Sequence, residues 1–108
     1  MTDTLADLAP QELWRHFAEL SRIPRPPGHE QAALQYVKSL AEARGVGWRQ
    51  DDYGNLVLFV DGGSGPTVAV QSHLDMVCEK DPGVVHDFTK DPIKVAVDGN
   101  RVHAEGTT

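Results

Sequence analysis

A sequence of 108 residues is long enough for one small domain and too short for two of ordinary size. Hydrophobic residues at 40% and charged residues at 24% sit near the globular average, which excludes long disorder. Ten basic against sixteen acidic residues give a net charge of −6, and no run of Lys or Arg forms a stripe for phosphates. That excludes nucleic-acid partners held by backbone neutralisation and suits a protein that handles cations.

The chain opens with Met1-Thr2-Asp3-Thr4-Leu5-Ala6-Asp7, which is acidic and lacks the basic and apolar regions of a signal peptide. From Pro10 to about Ser21, apolar Leu13, Trp14, Phe17 and Leu20 recur at steps of three and four, predicting an amphipathic helix with Pro10 in its first turn. Pro24-Arg25-Pro26-Pro27-Gly28 breaks it, because proline removes a donor and clashes with the preceding turn. A second helix is expected from about His29 to Arg44, with Ala33, Val37, Leu40 and Ala41 as its buried stripe and Gly45 just past its end. Gln35, Lys38 and Glu42 face water, and His16 is a partly exposed residue of the first helix.

Strands follow. Val46 to Gln50 reads as a short one, Asp51-Asp52-Tyr53-Gly54 as a turn, and Asn55 to Val60 as a clearer strand rich in branched and aromatic side chains. The longest apolar run, Leu56 to Val60, is far short of a membrane span, so no membrane partner is expected. Asp61 to Pro66 is a loop; its Gly62-Gly63-Ser64-Gly65 lacks the Lys and Ser/Thr that a phosphate-binding loop requires and reads as a plain turn. Thr67 to Gln71 reads as a largely buried strand, with His73, Leu74 and Asp75 just beyond its carboxyl end. Asp81-Pro82-Gly83 interrupts the pattern. Alternating Ile93, Val95 and Val97, the turn Asp98-Gly99-Asn100, and then Val102 and Ala104 predict a β-hairpin, with His103 facing outward.

Cys78 is the single cysteine, so no intramolecular disulfide forms; the chain suits a reducing, cytoplasmic setting, with Cys78 as a small filler. Trp14 and Trp48 read as packing residues, and His86-Asp87 as a structural loop pair.

The chemistry-bearing residues are His73 and Asp75. In open α/β sheets, ligands gather beyond the carboxyl ends of strands. A neutral imidazole there is a good zinc ligand, and a carboxylate holding its other N–H fixes the tautomer and the ring's direction. Residues two apart on extended chain share a side, which puts these two within reach of each other. Zinc needs about four ligands, so the pair alone does not make a site.

The wording around the pair is more specific than its spacing. Val70-Gln71-Ser72-His73-Leu74-Asp75-Met76-Val77-Cys78-Glu79-Lys80, followed by Val85-His86-Asp87-Phe88-Thr89-Lys90-Asp91-Pro92-Ile93, resembles the aminoacyl-histidine dipeptidases, of the wider family of di-zinc aminopeptidases and carboxypeptidases. Ile23-Pro24, Gly28-His29-Glu30, Asp52-Tyr53-Gly54-Asn55-Leu56 and Gly106-Thr107-Thr108 are similar to that family too, in the same order along the chain.

The resemblance implies an α/β fold: the N-terminal portion, residues 1–108, of a zinc-exopeptidase catalytic domain, with two helices, then strands and a hairpin. It implies that His73 ligates one of two zinc ions, with manganese or cobalt as alternatives, and that Asp75 orients His73. The bridging Asp, the Glu-Glu pair with the general base, the remaining ligands and the lid domain through which relatives often pair as homo-oligomers are expected beyond Thr108. The implied reaction is metal-assisted hydrolysis of dipeptides, Xaa-His above all. These 108 residues by themselves are expected to be inactive. The alternatives are another di-zinc peptidase or deacylase of the same family, and a non-catalytic α/β module or truncated paralogue that binds a partner.

Overall fold

The computed structural model describes residues 4–108, so the acidic start Met1-Thr2-Asp3 lies outside the described residues. After a 3-10 turn at Leu5–Asp7 come helix α1 (Gln11–Arg22) and helix α2 (Gln31–Ala43). Two antiparallel strand pairs follow, β1 (Gly47–Gln50) with β2 (Leu56–Phe59) and β3 (Val95–Asp98) with β4 (Arg101–Ala104).

Pro10 stands at the N-cap of α1, one position earlier than expected. The helix ends at Ile23, whose backbone is already extended ahead of Pro24. Helix α2 starts two residues later than the apolar pattern suggests, because the His29 amide is spent on a turn back to the Pro26 carbonyl at 2.9 Å. Its other end is a Schellman cap. Val46 N–H donates to the Ala41 carbonyl and Gly45 N–H to that of Glu42, with Gly45 at φ +66° supplying the left-handed residue. The two helices touch through His16 Nδ1 and the Tyr36 hydroxyl, 2.8 Å apart, and through an ion pair of Glu12 with Arg44. That hydrogen-bonded guanidinium is the main cause holding the Glu12 carboxyl below its ordinary value.

Strands β1 and β2 pair in the register Trp48 opposite Leu58, and the turn between them is organised by Asp51. Its carboxylate accepts from the Asn55 side-chain amide and from the Asn55 and Tyr53 backbone amides, each at 2.8–2.9 Å. Lys38 does not simply face water: its Nζ sits 4.0 Å from the centroid of the Trp48 ring and bonds Gln50, joining α2 to β1. In the β3–β4 hairpin, Val97 opposes Val102 around a two-residue loop. Gly99 has φ +58° and no non-glycine residue among the described residues has positive φ, so Asn100 follows it as in a type II′ turn.

The expected burial of the Thr67–Gln71 segment fails, for a physical reason. Thr67 to Gln71 forms no hydrogen-bonded strand, and Val68 and Val70 are 80% and 94% exposed. On α1, Leu13 and Phe17 of the apolar stripe are exposed as well. Apolar patterning records a demand for burial, whereas a strand also needs a neighbour to accept its backbone bonds, and no described residue supplies one here. The buried apolar core among the described residues is correspondingly small: Ala33, Leu34 and Ala41, all on α2, of which the sequence pattern had omitted Leu34. The radius of gyration, 16.2 Å, exceeds the roughly 13 Å of a compact domain of this length. The helices and strand pairs are thus open on several apolar faces.

Candidate metal centre

His73 and Asp75 meet. His73 Nδ1 lies 2.8 Å from Asp75 Oδ1, across a bend at Leu74 rather than along a continuing strand. An ionised carboxylate only accepts, so the proton of this bond belongs to Nδ1 and the neutral ring keeps a lone pair on Nε2. That nitrogen is offered on a ring whose side chain is 75% exposed, while Asp75 is half-buried at 35%. An exposed pair of this kind adds little to stability. Its chemical consequence is a fixed tautomer and a fixed ring, the state in which histidine binds a metal.

The bend is held from a distance in sequence. Arg25, in the Pro-rich break between the helices, donates from Nη1 to the Leu74 carbonyl at 3.0 Å, and its own carbonyl accepts from the Met76 amide at 3.1 Å. Arg25 is partly buried, and its buried Nε has no partner among the described residues. Burial pulls its guanidinium below the ordinary value, and the nearby negative charge of Asp75 pulls the other way. In the sequence, Arg25 reads only as part of a helix breaker. A basic residue locked between prolines was the one local signal, and its partners, 49 residues on, leave no trace in periodicity.

Downstream of Asp75 the backbone is tied to the far end of the described chain. Thr108 N–H donates to the Glu79 carbonyl at 3.0 Å, its hydroxyl bonds Val77, and Lys80 bridges Thr107. Asp81 N–H reaches the Gly106 carbonyl at 2.8 Å. Gly106 has φ +73°, and a Cβ there would come within 2.8 Å of Val84 Cγ2, so this close approach requires glycine.

The other candidates take structural places. His86 is 9% exposed, edge-on to Phe88 at 4.5 Å, with its carbonyl bonded by Lys80 Nζ; Asp87 organises the next turn by accepting from Thr89. Cys78 is half-buried, its thiol against the Met76 carbonyl at 3.5 Å. His103 faces outward. His29 lies ahead of α2, not in its first turn. A groove of about 700 Å³ between α1 and β3 is lined by Trp14, Ala18 and Val95, not by His73 or Asp75.

Among the described residues no three of His, Cys, Asp and Glu cluster to hold a metal ion. His73 therefore fits a metal centre as one oriented ligand, and the described residues do not close a tetrahedral site around it.

One imidazole braced by a carboxylate is what the metallopeptidase resemblance implies for this segment, and the known proteins to which the chain is similar are dipeptidases. It is similar to the cytosol non-specific dipeptidase of Escherichia coli (strain K12), with 41% identity over 108 positions covering 96% of this chain and 22% of that protein. It also superimposes on the crystal structure of aminoacylhistidine dipeptidase from Vibrio alginolyticus with a TM-score of 0.89 and 37% identity, over 98% of this chain and 22% of that one. No family model matches. The chain thus spans about a fifth of the length of the proteins it matches. The mixed α/β arrangement of two helices followed by antiparallel strand pairs is shared with the solved dipeptidase.

Proposed function

We propose that the protein is a metal-dependent dipeptidase in which His73 ligates a metal through Nε2 and Asp75 orients it. The observation that carries this reading is the 2.8 Å contact of His73 Nδ1 with Asp75 Oδ1, on a chain 41% identical to a dipeptidase. Zinc is the metal proposed, since imidazole suits it and the acidic surface disfavours no cation; manganese or cobalt would use the same nitrogen. When bound, such a metal supplies Lewis acidity and a water of lowered pKa.

The chain's own contribution is positional. Asp75 keeps the Nδ1 proton in place, so Nε2 remains a lone-pair donor, and it limits rotation of a ring otherwise free in solvent. The substrate proposed is a short peptide, with Xaa-His dipeptides among those cleaved. The two relatives carry different specificities in their names, non-specific and aminoacylhistidine, so histidine is proposed as one accepted C-terminal residue. A cytoplasmic location and self-association of the full-length protein belong to the same proposal. No helix among the described residues is long and apolar enough to cross a membrane.

The test is His73→Ala in the full-length protein, scored by metal per chain and by hydrolysis of dipeptides with and without C-terminal histidine. Loss of one metal equivalent with loss of most turnover is expected. Unchanged metal content and turnover would overturn the assignment, and a wild-type protein that neither binds metal nor hydrolyses peptides would favour the non-catalytic binding module.

A further inference from the structure

We infer that Arg25 is a positioning residue for the His73–Asp75 pair, acting by fixing both peptide planes that flank Asp75. The inference rests on the dipeptidase reading only for its functional consequence; the geometry stands without it.

A side chain's direction follows from the orientation of the two peptide units on either side of its Cα. For Asp75 these are the 74–75 and 75–76 units. The first is held at its oxygen by Arg25 Nη1, 3.0 Å from the Leu74 carbonyl, and the second at its nitrogen by the Arg25 carbonyl, 3.1 Å from the Met76 amide. One residue therefore clamps both planes, with its side chain on one and its backbone on the other. Asp75 has a rigid base from which to reach His73 Nδ1 at 2.8 Å.

Arg25 is itself well anchored. Pro24 and Pro26 fix their own φ angles, and Pro26 confines Arg25 to extended backbone. The His29 amide closes a turn onto Pro26 at 2.9 Å, and the Ser21 carbonyl, just upstream, accepts from Ile93 N–H at 2.9 Å. Two features say that the residue is held for its charge and shape rather than for packing. Its Nε is buried without a partner among the described residues, an arrangement that stability alone disfavours. The turn it braces is otherwise exposed, with Ser72 and His73 at the surface and Val77 64% exposed.

The experiment uses the full-length protein with Arg25→Met, which keeps the stem and removes the donors, and Arg25→Lys, which restores one donor. In the metal-free protein, hydrogen exchange of the Met76 amide, which bonds the Arg25 carbonyl, is expected to rise about tenfold or more in Arg25→Met, with partial recovery in Arg25→Lys. In the metal-loaded protein, Arg25→Met is expected to weaken metal affinity roughly 10- to 100-fold, the usual effect of removing a ligand's outer support. The loss should fall on kcat, with KM little changed and the metal-free melting temperature close to wild type.

Exchange at the Met76 amide unchanged in Arg25→Met would overturn the inference whether or not the protein proves to be a dipeptidase. A wild-type protein without metal or peptidase activity would instead defeat the proposed function while leaving the exchange result to decide on Arg25. Faster exchange with metal affinity and kcat intact would also overturn the inference, reducing Arg25 to a brace of the fold.

Discussion

Replacing Gly106 with alanine tests how the end of the described chain is fastened beside the site. Two penalties are separable in the structure. Gly106 holds φ +73°, a left-handed conformation that costs a residue with a Cβ about 1–2 kcal/mol. The new Cβ would also stand 2.8 Å from Val84 Cγ2 and 3.5 Å from Cγ1, so Val84 must leave its rotamer, at about 0.5–1.5 kcal/mol. The sum, about 1.5–3.5 kcal/mol, should appear locally, as opening of the Lys80–Thr107 bridge. Hydrogen exchange of the Asp81 and Thr108 amides, which bond the Gly106 and Glu79 carbonyls, is the assay. An acceleration of roughly 10- to 400-fold at these two amides is expected. Gly63→Ala is the control, since Gly63 has φ +104° with nothing within 4 Å of its Cβ. Adding Val84→Ala to Gly106→Ala should recover only the contact part. Protection unchanged in Gly106→Ala, or full recovery by Val84→Ala, would refute the two-part reasoning.

Tyr36→Phe removes the hydroxyl 2.8 Å from His16 Nδ1 and is expected to cost about 1 kcal/mol in chemical denaturation, as one partly buried hydrogen bond does. Leu34→Ala, at a side chain 5% exposed in a thin core, should cost about 2–3 kcal/mol, the low end for such truncations. The Asp51 carboxyl is held below its ordinary value first by the Asn55 side-chain amide and then by the Asn55 backbone. A lowered folded value means that the turn's ionic stabilisation is complete above the unfolded value of about 3.9 and is lost as pH falls through the lower folded one. The Asn55 amide signal in NMR should therefore titrate below pH 4 and stop doing so in Asp51→Asn; a midpoint above 4 would contradict the assignment.

The parts of the fold that were legible in the sequence are those with local causes. Helix α1 follows from Leu13, Trp14, Phe17 and Leu20 at helical spacing, the end of α2 from Gly45, and the hairpin from alternation around Gly99-Asn100. His73 and Asp75 were legible as a pair because they lie two residues apart, and the family resemblance from Gln71 to Ile93 was matched by two dipeptidases. What was not legible depends on partners remote in sequence. Val68 and Val70 carry the composition of a buried strand, but burial is a property of a strand and its neighbour together, and both are exposed here. Lys38 reads as a solvent-facing residue until Trp48 comes beneath it. Arg25 was hidden most completely: its bonds to residues 74 and 76 span half the chain, and the prolines around it speak only of helix breaking.

The central claim is that Asp75 holds the His73 ring so that Nε2 receives a metal. Anomalous diffraction at the zinc edge, from crystals of the zinc-loaded full-length protein, tests it most directly. A zinc peak about 2.0–2.1 Å from His73 Nε2 is expected, with Asp75 still bonded to Nδ1. Zinc on Nδ1, or a zinc-loaded protein whose metal sits away from His73, would contradict it.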